Sequence, residues 1–478
     1  MREEQVTMNE IVPRIQFRML RCRFLQAVLP GICFLLLTRP ALAQSSADAD
    51  SRQAEALNHR GMQHLQKKEY EQAAELFRES LKHQPNAPQV LDNLGKALDG
   101  AGRDDEAVGE FDKAVKLAPD NAVLHCDRGL ALFHEKKFDE SVAAYQKAIE
   151  LHAHFPEAQN GLGVALLNLG KTEEAVAAFR KAVELSPSNV DALNNLGSAL
   201  LGQGKATEAL PYLQKAHKIR PDLADILENY AHALEEAGQT NEAIAAYHKV
   251  TSKHPKESGP WAHLGHLYYV SKNYHKAVES FQKSLALNPT QPDVLLSMGL
   301  AQAQDGKIDD AIRSTEQCLT IKPNDVHALS ALGNAYYTRK DYGKAADSYQ
   351  KALAQKPDDP DALVGLGASQ LAANNFDAAI TTYQKLIPLR PDDPNTRFNL
   401  GTAFFNKGRF QEAAASYREA IRLKPDFAHA HYNLGMSLLH LQDSSAAKTE
   451  FAEAHRLDPS LNPPIGSEKS ARYMIENP

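Results

Sequence analysis

The sequence predicts an all-α solenoid built from twelve helix–turn–helix units of 34 residues, spanning 54–461. Three observations predict it. Counting positions from Ala54, and again from Pro88 and every 34th residue after it, position 8 is Gly in every unit except one, which has Ala231. Position 20 is Ala except at Ser141, and position 32 is Pro except at Ala153. The phase holds without insertion for 408 residues, a period that identifies a stacked-repeat architecture and overrides the three domains that length alone suggests.

The unit is cleanest at 190–223. Its first helix carries Leu193, Leu196, Gly197 and Leu200 at positions 4, 7, 8 and 11, which share one stripe because steps of three and four return to the same helix face. Six units then have Gly at position 15, where a left-handed residue closes the first helix: Gly102, Gly170, Gly204, Gly238, Gly306 and Gly408. The second helix has Ala at 20, a large residue at 24 (Phe or Tyr in ten units) and usually Ala at 27. Small residues at 8 and 20 let the two helices approach, and the ring at 24 is expected to fill the space between one hairpin and the next. Pro at 32 ends the second helix, since it lacks an N–H and disfavours helix at the residue before it. A single hairpin cannot bury its apolar face, whereas a row of them can.

This length and spacing resemble the tetratricopeptide repeat. The resemblance implies a right-handed α-solenoid and a concave groove, lined by positions 2, 5, 6, 9 and 13 with 12 at the edge, where partner peptides lie. The family's carboxylate clamp is not supported, because positions 2 and 5 contain no Lys. Asn at position 6 (Asn93, Asn195, Asn229, Asn399, Asn433) is similar to the asparagine ladder of the O-GlcNAc transferase repeats, broken here at seven of twelve units. An amide both donates and accepts, so it can bond a peptide backbone of any sequence.

Outside the repeats, residues 1–43 have the form of a secretory signal: Arg14, Arg18, Arg21 and Arg23, an apolar run at 24–37, and Ala41-Leu42-Ala43. An uncleaved signal anchor is the alternative. A cleaved signal implies export to the periplasm or beyond, with no membrane insertion after cleavage; an uncleaved one implies an exported chain held at its N-terminus by the anchor. Residues 44–53 read as a polar linker, and 462–478 as a tail or a short capping helix at 467–477. The formal charge is −7, and residues 1–43 contribute six Arg against three Glu, so the remainder is more acidic still. That balance argues against nucleic acid as the partner. Cys126 and Cys318 fall in the third and eighth repeats and are not expected to pair; Cys318 reads as a small core residue at position 27. Repeat 8 has Met298, Gln302, Thr315 and Cys318 at usually regular positions, and repeat 10 has Leu386 and Pro388. These two are expected to be the softest joints.

No catalytic motif occurs, and the repeats leave no room for a catalytic domain. The sequence is therefore read as non-enzymatic, with no cofactor. His152/His154, His263/His266 and His429/His431 lack the further ligands of a metal site, so none is assigned. The groove positions are acidic in repeats 2 and 6 (Asp92, Lys96, Asp99; Glu228, His232, Glu235, Glu236). In repeats 9–12 they are apolar: Tyr337, Val364, Leu371, Phe398, Phe405, Tyr432, Met436 and Leu439. Exposed rings are common anchors for protein partners. The candidate partner site is thus Tyr337, Phe398, Phe405, Tyr432 and Met436 with the five Asn residues. The reading is a scaffold of the cell envelope; a holdase-type chaperone or export factor, or a subunit that positions an envelope enzyme, are the alternatives.

Overall fold

The structure is a computed structural model that describes residues 46–462. Twenty-four α-helices pair into twelve hairpins, and no strand occurs among the described residues. The fold is the α-solenoid repeat architecture anticipated above. The chain gathers into two compact units of six hairpins, one ending at Pro255 and the other beginning at Lys256. The leader at 1–43 and the helix expected at 467–477 lie outside the described residues.

Position 15 has a left-handed backbone in all twelve hairpins. Beside the six glycines, Lys68, Lys136, Lys272, Lys340, Asn374 and Gln442 have φ between 59° and 68°. The turn needs this conformation because it caps the first helix. In hairpin 4, Lys171 N–H reaches back to Leu166 C=O at 2.9 Å and Gly170 N–H to Leu167 C=O at 2.9 Å. Hairpin 3 makes the same two bonds from Lys137 and Lys136, each 2.9 Å. This six-to-one and five-to-two pattern satisfies carbonyls that the helix end leaves open. A side chain in this region costs about 1–2 kcal/mol relative to Gly, so six of the twelve turns are held by their surroundings against local preference.

The core follows the repeat register. Position 20 is fully buried throughout; where it is Ser141, the hydroxyl donates to Gly129 C=O at 2.6 Å, so the extra polar atom is satisfied. The residue at position 24 lies directly on the position-8 glycine of its own hairpin. A Cβ on Gly163 would stand 2.5 Å from Phe179 Cε1, and one on Gly61 2.6 Å from Phe77 Cε1. Two of the rings also meet the following hairpin, as expected: Tyr145 lies over Gly161 and Tyr349 over Gly365, closely enough to exclude a Cβ.

One expectation changes in detail. The stretch read as a linker is helical from Ser46, since the first helix runs from Ser46 to Gln66. It is tied to the second helix (Tyr70–His83) by Gln84 Nε2 donating to Ser51 Oγ at 2.9 Å and by His83 Nδ1 lying 3.0 Å from Asp50 Oδ1. The second helix of hairpin 10 (Phe376–Leu386) has 11 residues where every other second helix has 14, because Pro388 cannot continue it. Leu386 nonetheless fills the usual Ala site with complete burial. Cys318 is a buried free thiol, its pKa pushed up to about 11, first by burial.

Candidate functional site

The face opposite the buried stripe of each first helix is the candidate site, and the two units build it differently.

In the first unit the face is a network of polar side chains joined across hairpins. Asn93 Nδ2 donates to Asn58 Oδ1 at 2.9 Å, Asn195 Nδ2 to Asn160 Oδ1 at 3.0 Å, and Asn229 Nδ2 to Asn194 Oδ1 and Ser198 Oγ, both at 2.9 Å. In each case position 6 reaches position 5 of the preceding hairpin. All three amides are buried. The expected backbone-binding role is corrected for these three: each amide is buried and donates to the preceding hairpin, which locks one hairpin to the next.

The acidic run of repeat 2 is likewise internal. Lys96 Nζ lies 2.6 Å from Asp92 Oδ2 and 2.8 Å from Asp127 Oδ2, and Gln89 Nε2 donates to Asp92 Oδ2 at 3.2 Å. Asp92 and Asp127 are 1% and 4% exposed. Burial pushes the Asp127 carboxyl up to about 7, against the pull of Lys96 and with the help of the Asp92 charge. Burial also opposes the charge of Lys96, but the two carboxylates outweigh it and hold its pKa above the ordinary lysine value. Asp127 was missed in the sequence; its signal was a third charge at position 6 of the next repeat. Further along, Glu235 accepts from Tyr247 Oη at 3.0 Å.

In the second unit the face is aromatic. Phe398 lies against Tyr417 and Phe427, with ring centroids 5.6 and 4.9 Å away. Phe405 meets Phe410 at 5.4 Å and His440 at 5.5 Å, and Tyr432 meets Phe451 at 5.4 Å. These three rings are half-buried, as are Val364, Leu371 and Leu439, and Met436 is buried at 7% exposure. The expectation of a row of free rings is therefore corrected. They are partly covered because they pack against neighbouring side chains, for the three rings the aromatic partners above. Tyr337, 39% exposed, is the ring that stands out, and Val270 at position 13, absent from the sequence-based set, is 53% exposed. Asn399 and Asn433 are half-buried beside the hydroxyls of Tyr383 and Tyr417.

The histidine pairs are mostly engaged elsewhere. His431 Nδ1 is 2.6 Å from Glu450 Oε2 and its Nε2 is 3.1 Å from Pro425 C=O; His152 meets Phe155 edge to face. A different group, Asp99, Asp104 and His134, brings three ligand-type atoms within 4.8 Å of one another. These residues stand at positions 12 and 17 of one repeat and 13 of the next, a spacing invisible without the fold. Among the described residues no helix is long and apolar enough to cross a membrane.

Comparison with known proteins bears on the whole array. A tetratricopeptide-repeat model matches 39–89, 60–122, 93–158, 126–190, 160–224 and 330–394, which together take in more than half the chain. Related repeat models match 200–264, 401–441 and 428–461. Residues 252–355 match the model of the cytochrome c-type biogenesis protein H TPR domain. No curated protein matches. Among solved structures, the Cut9–Hcn1 hetero-tetramer of the APC/C matches with 16% identity over 91% of this chain and 96% of that one, at a TM-score of 0.38. A crystal structure of MamA matches with 24% identity over 34% of this chain and 95% of that one, at 0.33. MamA from Desulfovibrio magneticus RS-1 matches with 20% identity over 36% of this chain and 97% of that one, at 0.35.

Proposed function

The chain belongs to the tetratricopeptide-repeat family, and we propose that it is a non-catalytic scaffold of the cell envelope or periplasm that holds segments of protein partners along its first-helix faces. The coarser statement needs no proposal: an array of these repeats is a protein–protein interaction scaffold. The observation that carries the finer one is the contrast in exposure on those faces. Most rings are spent on packing against neighbouring helices and turns, while Val270 and Tyr337 are the most open, 53% and 39% exposed, with Tyr337 meeting only the Tyr342 ring at 5.4 Å among the aromatic side chains. The signal-like leader and the match of 252–355 to a cytochrome c biogenesis repeat domain support the envelope setting.

The test is affinity capture from native envelope extract with the wild-type chain and with Val270→Ser/Tyr337→Ala. Both side chains are exposed, so the variant is expected to keep its circular dichroism. One or a few folded proteins bound by the wild type and lost with the variant are the expected result. The same proteins bound equally by both would remove this face from consideration. Salt-insensitive binding to many unfolded chains would instead favour the chaperone reading.

A further inference from the structure

The corner between hairpins 2 and 3 inverts a pairing that two other corners make. In hairpins 9 and 11, position 14 is a cation that reaches position 18 of the preceding hairpin. Arg339 Nη1 lies 2.8 Å from Asp309 Oδ1, and Lys407 Nζ lies 2.8 Å from Asp377 Oδ2. The same two places at this corner hold Glu135 and Asp105, a carboxylate where those two corners have a cation. The Glu135 side chain is only 9% exposed. Its Oε1 meets Lys137 Nζ at 2.9 Å, and its Oε2 is buried without a hydrogen-bond partner. Arg103, two residues before Asp105, is already held by Glu106 at 2.6 Å and Glu71 at 3.0 Å.

Next to this mismatch stand the three residues with converging ligand atoms. Asp99 comes from the last turn of the helix Pro88–Gly100, Asp104 opens the helix Asp104–Leu117, and His134 closes the helix Ala122–His134. His134 Nδ1 is 2.6 Å from Asp99 Oδ1, and the Asp99 side chain is 7% exposed, so two of the three are already oriented. Four carboxylates (Asp99, Asp104, Asp105, Glu135) thus crowd one corner.

We propose that this corner binds one divalent transition-metal cation, Zn²⁺ in preference to Mg²⁺ or Ca²⁺, through Asp99, Asp104 and His134. One imidazole nitrogen with two carboxylates suits a borderline cation, whereas Mg²⁺ and Ca²⁺ prefer oxygen alone. The cation supplies the positive charge that Arg339 and Lys407 supply at the corresponding corners, and it pins hairpin 2 to hairpin 3.

The test is calorimetric titration of chelator-stripped full chain with ZnCl₂. One strong site per chain is expected. His134→Ala and Asp104→Asn should each weaken it by about 10- to 100-fold or more, the range seen when even an outer-shell partner of a metal is lost. His154→Ala, at an exposed histidine in hairpin 3 away from the three ligands, should leave it unchanged. Circular dichroism verifies that each variant remains helical. Zinc should also raise the thermal midpoint of the wild type and not that of His134→Ala. Absence of a stoichiometric site, or equal zinc affinity in the wild type and His134→Ala, would overturn the proposal.

Discussion

The two six-hairpin units follow one backbone plan with two sets of side chains. At position 11 the first unit has Leu98, Leu132, Leu166, Leu200 and Leu234 after His64; the second has Tyr268, Gln302, Tyr336, Gln370, Phe404 and Leu438. The two Gln and Tyr336 are each matched. Ser314 Oγ donates to Gln302 Oε1 at 2.7 Å, Thr382 Oγ1 donates to Gln370 Oε1 at 2.7 Å, and Tyr336 Oη donates to Glu316 Oε1 at 2.7 Å. The first unit uses Leu with a small apolar residue at position 23 in hairpins 3, 4 and 6. The amides at position 6 divide the same way. Where the preceding position 24 has no hydroxyl (Phe77, Phe179, Leu213), Asn bonds to Asn; where it is Tyr383 or Tyr417, Asn stands beside the phenol. The lesson is that the repeat fixes where a side chain goes and leaves open which neighbour satisfies it. A polar residue is tolerated at a core position when its partner one helix away is polar too.

The sharpest way to break this comparison is at position 8. Gly163→Ala drives a Cβ onto the Phe179 ring and should destabilise the first unit by about 1–3 kcal/mol. Gly299→Ala, its counterpart in hairpin 8, meets the small Thr315 side chain first, with the Ala311 carbonyl at 3.2 Å, and should cost less. Urea denaturation of the two variants gives the contrast; equal losses would show that the residue at 24 does not set the tolerance at 8.

The polar pairs are tested by a double-mutant cycle in hairpin 10. Thr382→Ala leaves the buried Gln370 carbonyl without its donor and should cost about 1–3 kcal/mol. Gln370→Leu/Thr382→Ala installs the pairing of the first unit and should recover most of that loss. Additive losses would mean that the two units are not interchangeable solutions.

The smallest effect concerns the turns. Four of six position-15 residues are Gly in the first unit and two of six in the second. Lys340→Gly should raise the stability of the second unit by up to about 1 kcal/mol by relieving a left-handed Lys, and Gly170→Lys should lower the first by a similar amount. Shifts in thermal midpoint measure both; no gain for Lys340→Gly would show that the lysine stem makes compensating contacts.

The sequence by itself determined the period, the hairpin, its turn and its small-residue contacts. These depend on helix geometry and on residues that recur every 34 places, so each is repeated often enough to be read. Half of the left-handed turns were legible as Gly; the others were not, because Lys, Asn and Gln carry no comparable mark and adopt that conformation only under the hairpin's constraint. The candidate site was less legible. Phe398, Phe405 and Tyr432 were correctly placed on the first-helix face, but helical phase cannot say what the second helix and the closing turn of the same hairpin lay over that face, and ring partners such as Phe427, Phe410 and Phe451 are what half-bury them. The tertiary structure alone decided that Asn93 meets Asn58, that Asp127 joins Lys96 and Asp92, and that Asp99, Asp104 and His134 converge. The physical reason is that these contacts join one hairpin to the next, across a packing angle and a shift between helices that spacing along the chain does not encode.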